Sequence, residues 1–326
     1  MRKRQTEGLH SSQKSVRYYE QPEGRGARES RPCPSYDTAL YPSMLVEDVW
    51  ATILPYGRTG GSQPFRVSVH PPNTESEDLI AGGIARREYY RDFAHTVAEF
   101  VGRCAQSVIA LGEDNYELVY LATADENEVV FFELVSIQPG TLIDRAGKVF
   151  QTVPAHVSRE LEVPERIELP PDTILRFRLP RDLETEVQKA MDALARLSRH
   201  LPVVAWEQGR RPVPLQFGVH VRARKVAIAR ATRAIGWNAR WTLQDQMLEY
   251  YYLHRELVFE RFKARVRRAI IDTLNTGLER AGNVLGFAAR VEIEGLPTEA
   301  EIDAAAASLR AGDRSFKEIF EPFPPP

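Results

Sequence analysis

The chain has 326 residues, of which 43% are hydrophobic and 27% are charged, and its net charge is −2 at pH 7. This length suffices for one large domain or two ordinary ones. The two cysteines, Cys33 and Cys104, show no CxxC spacing, which favours a reducing compartment over a disulfide framework. No apolar run reaches the roughly 18–20 residues that span a bilayer, and the N-terminus lacks the apolar stretch of a secretory signal. We therefore expect a protein without membrane contact, retained in the cell or in a particle assembled there.

Residues 1–36 have the composition of a flexible, basic segment. They carry eight Lys or Arg and four Glu, separated by Gly, Ser, Pro and Gln. Such a segment has too little apolar surface to offset the entropy lost on ordering. The sequence predicts a disordered basic arm, whose charge serves either solubility or binding.

Residues 37–180 are predicted to form an α/β domain. Apolar residues at steps of three and four predict a helix from about residue 87 to a stop at Gly112. Residues 116–121 and 129–137 are rich in β-branched and aromatic types, and the polar turn between them predicts a hairpin.

Two more predicted strands, residues 148–153 and 173–179, complete this region. The economical arrangement is one helix packed on a small, mostly antiparallel sheet, with Phe93 and Val97 facing the strands. The predicted fold class is α+β, with a long helical region after the sheet.

Residues 181–282 are predicted to be that helical region. The apolar pattern indicates helices over 183–201, about 221–235 and 242–280, the last about 58 Å long if unbroken. Residues 283–326 are predicted to add a strand over 289–294, a helix with its N-cap at Thr298, and an irregular tail.

The clearest electrostatic feature is a basic stretch from residue 208 to 244. It contains eight Lys or Arg and no Asp or Glu. Eight like charges need anions nearby, which can be carboxylates of the same chain, carboxylates of a neighbouring subunit, or phosphates. Arg222, Lys225 and Arg233 are predicted to share one helix face. The candidate DNA-binding or subunit-interface residues are Arg222, Arg224, Lys225, Arg230, Arg233 and Arg240.

Neighbouring tyrosines occur at the start of the long predicted helix. Residues 250–252 are all Tyr, and successive helical residues lie about 100° apart, so the three rings cannot share one face. At least one ring is therefore predicted to be exposed, for base stacking or for subunit packing.

Catalytic and metal-binding motifs are absent from the sequence. The seven histidines show no HxH or HExxH spacing, and neither a phosphate loop nor a nucleophile elbow is present. The acids at 113–114 and 125–128 have the chemistry to hold a divalent cation, but solvation explains them more simply. The sequence predicts no metal, no cofactor and no enzyme.

Over residues 85–320, the order of the segments and their residue patterns resemble the tailed-phage portal protein family. Residues 132–141 (FELVSIQPGT) resemble the wing-domain strand and turn of that family, and residues 172–180 (DTILRFRLP) resemble the following strand. Residues 249–262 (EYYYLHRELVFERF), 295–302 (GLPTEAEI) and 311–316 (AGDRSF) are similar to its late helices.

The resemblance implies a portal-like fold and a ring of about a dozen identical subunits at a capsid vertex of the virion, assembled in the host cytoplasm. Double-stranded DNA is then packaged and ejected through the ring, a terminase docks on it, and capsid and head–tail connector proteins adjoin it. One alternative is a nonspecific nucleic-acid-binding protein that acts as a monomer or dimer. A second alternative is a metal-dependent hydrolase or nuclease.

Overall fold

The computed structural model of the protein describes residues 9–17, 40–55, 65–85, 92–123, 128–199, 217–240 and 248–320. The chain divides into two compact units, each built from separate stretches of sequence. Unit 1 takes the described residues of Met1–Ser30, Leu54–Arg178 and Arg268–Gly295, and unit 2 takes those of Arg31–Ile53, Leu179–Arg267 and Leu296–Pro326. The sequence had suggested four consecutive segments with boundaries at 36, 180 and 282.

Unit 1 is a mixed α and β structure in which all strand pairs are antiparallel. Its strands are β1 (Leu9–Ser11), β2 (Arg66–His70), β3 (Asp114–Thr123), β4 (Val129–Ile137), β5 (Leu142–Arg145), β6 (Lys148–Thr152), β7 (Arg166–Leu169), β8 (Ile174–Phe177) and β9 (Arg290–Glu294). Its helices are α2 (Thr74–Ile84), α3 (Phe93–Leu111) and α4 (Ala155–Leu161).

The main sheet is organised around β3. This strand pairs with β4 along one edge and with β8 and β1 along the other. Helix α3 packs on the sheet, with Phe100 of the helix against Tyr116 and Phe177 of the strands at ring-centroid distances of 5.6 Å each. The predicted α+β class, with a helix beside small antiparallel sheets, is therefore confirmed. Val97 is fully buried as expected, whereas Phe93 is only half-buried.

Helix α2 lies close against β4 because it carries two glycines. A Cβ atom at Gly83 would stand 2.5 Å from the ring of Phe132, nearer than any side chain can come. Glycine at this position therefore allows the helix to cover the ring, which is 1% exposed. Two smaller sheets complete the unit, one of β2 with β9 and one of β5, β6 and β7.

The N-terminal segment, defined here as residues 9–17, is bound to the main sheet. Its strand β1 pairs with the end of β3, and Ser12 exchanges hydrogen bonds with the main chain of Tyr120. The carboxylate of Glu117 accepts hydrogen bonds from the N–H groups of Lys14 and Ser15, and the amide of Gln151 pairs with Val16. The prediction of disorder for 1–36 is therefore wrong for residues 9–17, because main-chain hydrogen bonds hold a segment with little apolar surface. Residues 1–8 and 18–36 lie outside the described residues.

Unit 2 is helical in its described residues. Its helices are α1 (Leu40–Thr52), α5 (Arg181–Arg199), α6 (Phe217–Ala231), the first part of α7 (Glu249–Leu285), α8 (Glu299–Ala311) and α9 (Phe316–Phe320). Helix α1 packs on α5, and α5 packs on α6. Leu253 and Leu257 of α7 share a buried cluster with Ile302 and Leu309 of α8 and Ile319 of α9.

The long helix expected over 242–280 is present as α7. It has 37 residues, or about 55 Å at 1.5 Å per residue, and its residues up to Arg267 belong to unit 2 while the rest belong to unit 1. Residues 241–247 lie outside the described part. The predicted cap of α8 is also present, since Thr298 and Glu301 form a reciprocal capping box.

No helix in the described part of the chain is both long enough and apolar enough to cross a membrane.

Candidate nucleic-acid interface

The structure distributes the predicted basic residues over one helix and the segment that follows it. Arg222, Arg224, Lys225 and Arg230 lie on α6, Arg233 lies just beyond its end, and Arg240 comes seven residues later. The expectation that Arg233 shares a helix face with Arg222 and Lys225 is therefore wrong, because α6 ends at Ala231. The two arginines at 210 and 211 fall outside the described residues.

Arg240 is neutralised within the chain. Its Nε donates to Asp48 at 2.7 Å and its terminal nitrogen donates to Glu47 at 2.9 Å, both on α1. These hydrogen bonds raise the pKa of Arg240 above its ordinary value. The same carboxylate of Asp48 also accepts a hydrogen bond from the indole N–H of Trp237. An intrachain salt bridge therefore accounts for this member of the basic stretch.

Arg255 of α7 holds residues 232–240, here called the 232–240 segment, by hydrogen bonds. The Arg255 guanidinium donates to the side chains of Asn238 and Thr232 at 2.7 Å each and to the carbonyl oxygens of Ala229 and Trp237. Arg255 is only 3% exposed, and this burial lowers its pKa. All four acceptors are neutral, so the cation orders the segment without using a carboxylate.

Gly236 allows the 232–240 segment to lie against α7. Its φ of +75° is in the left-handed region, and a Cβ atom there would stand 2.5 Å from the carbonyl oxygen of Arg255 and the nitrogen of Phe259. Asn238 is held in turn by a hydrogen bond of 2.5 Å to Glu256. These contacts hold the 232–240 segment against α7, next to the end of α6.

Arg230, in the last turn of α6, and Arg233, on the 232–240 segment, are exposed to solvent. Neither side chain has a carboxylate within salt-bridge distance among the residues that the structure describes. Arg222 is exposed as well, while Arg224 and Lys225 are half-buried. Arg230 and Arg233 thus present positive charge that the described chain does not compensate.

A histidine and a tyrosine of α7 adjoin these cations. The pKa of His254 is lowered by burial and by the positive charges of Arg310, Arg255 and Arg233. The ring of Tyr250 stacks on the imidazole, with centroids 6.4 Å apart and planes inclined by 21°. The surface formed by Arg230, Arg233, Tyr250, His254 and Arg310, here the basic–aromatic surface, lies wholly in unit 2.

Sequence reasoning did not find His254 or Arg310. It treated the histidines only as metal ligands, and a lone Arg on the last helix has no local signature. The readable signal was the spacing of Tyr250 and His254, since residues four apart on a helix are neighbours. Arg310 comes to the same surface because α8 packs on α7.

The described part of the chain contains no cluster of metal-binding side chains. No group of three or more His, Cys, Asp or Glu stands close enough to hold a metal ion there. Of the acids considered from sequence, Glu113 accepts hydrogen bonds from Arg178, Asn115 and the Gly140 N–H, and Asp114 is buried. Residues 125–127 of the second acidic group lie outside the described residues.

No protein-family model and no curated protein matches the chain.

Proposed function

We propose that this chain is a portal-like structural protein, one subunit of a homo-oligomeric ring at a capsid vertex through which double-stranded DNA passes. The observation that carries the proposal is the exposure of Arg230, in the last turn of α6, and of Arg233, on the 232–240 segment, without a carboxylate partner in the described chain. Exposed guanidinium groups of this kind can bind the phosphates of a DNA backbone, and such electrostatic contacts do not depend on the base sequence. The resemblance over residues 85–320 supports the ring.

The proposed activity is mechanical and electrostatic. DNA that slides through a ring needs contacts that are individually weak and independent of base sequence, and arginine–phosphate contacts have both properties. Subunits related by rotation each present the same few cations, so the duplex meets an equivalent surface as it advances. The proposal includes a terminase, capsid and connector proteins as partners.

A second candidate is a nonspecific nucleic-acid-binding protein that acts as a monomer or dimer. The same two arginines favour it, because phosphate binding by them does not require a ring. Light scattering of the full-length protein separates the two candidates. A mass near twelve times 37.0 kDa supports the ring, whereas a stable monomer or dimer at all concentrations and with DNA present contradicts it.

Charge reversal tests the assignment of the basic–aromatic surface to DNA. We expect the double change Arg230→Glu and Arg233→Glu to lower duplex DNA affinity on the order of tenfold or more. The reason is that two arginines that attract phosphates are replaced by two carboxylates that repel them. The matched control is Arg290→Glu, an exposed arginine of β9 in unit 1, which should leave affinity nearly unchanged.

The oligomer mass of the double variant decides between DNA and a neighbouring subunit as the partner of these arginines. We expect the mass to stay that of the wild type. If the ring dissociates into folded monomers while the circular dichroism is unchanged, the two arginines bind acids of an adjacent subunit and the DNA assignment is wrong.

A further inference from the structure

Tyr250 presents an open aromatic face at the start of α7. Its side chain is 43% exposed, and His254 is its one ring neighbour in the described part of the chain. Because His254 lies one turn further along the helix, it supports one side of the phenol ring.

Two arginines from other parts of unit 2 come close to His254. Arg233 follows Thr232, whose hydroxyl accepts a hydrogen bond from Arg255, and Arg310 follows Leu309, which packs in the same cluster as Leu253. Arg255 and Leu253 are the chain neighbours of His254, and both Arg233 and Arg310 are exposed. The nearest acid in sequence is Glu249, which is also exposed and points about 100° away around the helix. An exposed aromatic ring with two arginines nearby matches a nucleotide within a strand, which has a planar base and a phosphate on either side.

We propose that the basic–aromatic surface binds an unpaired nucleotide, with its base stacked on Tyr250 and its flanking phosphates on Arg233 and Arg310. This rests on the proposed function, because it places nucleic acid at the same surface. A base inside a duplex has both faces covered by its neighbours, so stacking selects a single strand or a frayed end. Stacking on an aromatic side chain tolerates any base sequence and contributes about 1–3 kcal/mol per base.

Fluorescence anisotropy with the full-length protein tests this, using labelled oligothymidine of about 12 nucleotides and a duplex of equal length. We expect Tyr250→Ala to lower affinity for the single strand on the order of tenfold, with little effect on the duplex. Tyr250→Phe keeps the aromatic face and should bind the single strand as the wild type does. Trp50→Ala is the matched control, since Trp50 of α1 is 50% exposed and lies outside this surface.

Three results overturn the stacking site: an unchanged single-strand affinity in Tyr250→Ala, equal losses on single strand and duplex, or an equal loss in Tyr250→Phe. These differ from a failure of the proposed function. That failure is duplex affinity that survives reversal of Arg230 and Arg233, whatever the tyrosine variants do.

Discussion

Asp114 is an acid that the fold keeps away from water. It is 4% exposed at the start of β3, and the hydroxyl of Tyr116 donates to it at 3.0 Å. Burial is the largest influence and raises the pKa of Asp114 from 3.8 to about 6, against the lowering effects of Tyr116, Cys104 and Arg103. The folded protein therefore holds this proton more tightly than the unfolded chain does.

The expected consequence is a loss of stability as pH rises. The contribution of Asp114 is favourable below pH 4 and declines as pH rises through about 6, and the change in pKa corresponds to about 3 kcal/mol at neutral pH. Asp114→Asn cannot ionise, so its free energy of unfolding relative to the wild type should improve between pH 4 and pH 7. Urea denaturation at several pH values measures this difference.

Asp144 provides a control of opposite sign. Hydrogen bonds from Arg176 lower the pKa of this exposed carboxyl, so its contribution to stability is lost only as pH falls through that lower pKa. Asp144→Asn should therefore gain stability relative to the wild type below about pH 4 and change little between pH 4 and pH 7. If the Asp114→Asn difference is flat across this pH range, the buried carboxyl is not the group that titrates.

Among the structural elements, the N-terminal segment depends on one buried carboxylate. Glu117 is 1% exposed and accepts only the N–H groups of Lys14 and Ser15 among the described hydrogen bonds. Glu117→Ala leaves those donors without an acceptor, and we expect residues 9–17 to detach from the sheet. Hydrogen exchange of this segment should rise at least about tenfold, and trypsin should then cut after Lys14 and Arg17.

The control for this prediction is Glu133→Ala. Glu133 pairs at 2.9 Å with Arg17, but both side chains are largely exposed, so the ion pair contributes little. Equal hydrogen-exchange protection of residues 9–17 in the Glu117→Ala variant and the wild type would show that strand pairing alone holds the segment.

The sequence predicted the long elements because their apolar periodicity is local. Helices α3, α5 and α7, the β3–β4 hairpin and the Thr298 cap are all readable within one window of residues. It predicted neither β2 nor α2, because Pro71, Pro72 and Asn73 cause a break in the apolar pattern between them. Asn73 in that break caps α2 by accepting the N–H of Glu75.

The candidate site was less predictable than the fold because its members come together through tertiary packing. The basic stretch was visible as composition, but the partners of Arg240 lie about 190 residues earlier on α1. Sequence therefore could not tell which arginines are compensated. That distinction is what separates Arg240 from Arg230 and Arg233.

At the scale of the whole molecule, charge is unevenly distributed. The stretch 208–244 carries +8, so the rest of the chain carries −10, the difference between the net −2 and +8. The proposed nucleic-acid binding therefore uses a local surface, and salt weakens binding of this type by competing at each phosphate contact.

The salt dependence of duplex binding counts those contacts. We expect Arg230→Gln with Arg233→Gln to reduce the slope of log affinity against log salt by about two, because each lost phosphate contact removes about 0.9. Arg290→Gln should leave the slope unchanged. A double variant with the slope of the wild type would place both arginines outside the DNA contact.

The N-terminal segment also imposes an order on biosynthesis. Residues 9–17 leave the ribosome well before their partners Tyr120, Glu117 and Gln151, which are more than 100 residues downstream. At about 5–20 residues per second, the segment waits roughly 7–27 s for the last of these partners to be translated. During that interval its main-chain donors and acceptors are satisfied by water or by chaperones. Residues 9–17 therefore dock only after residue 151 has been translated, although they precede it by more than 100 residues.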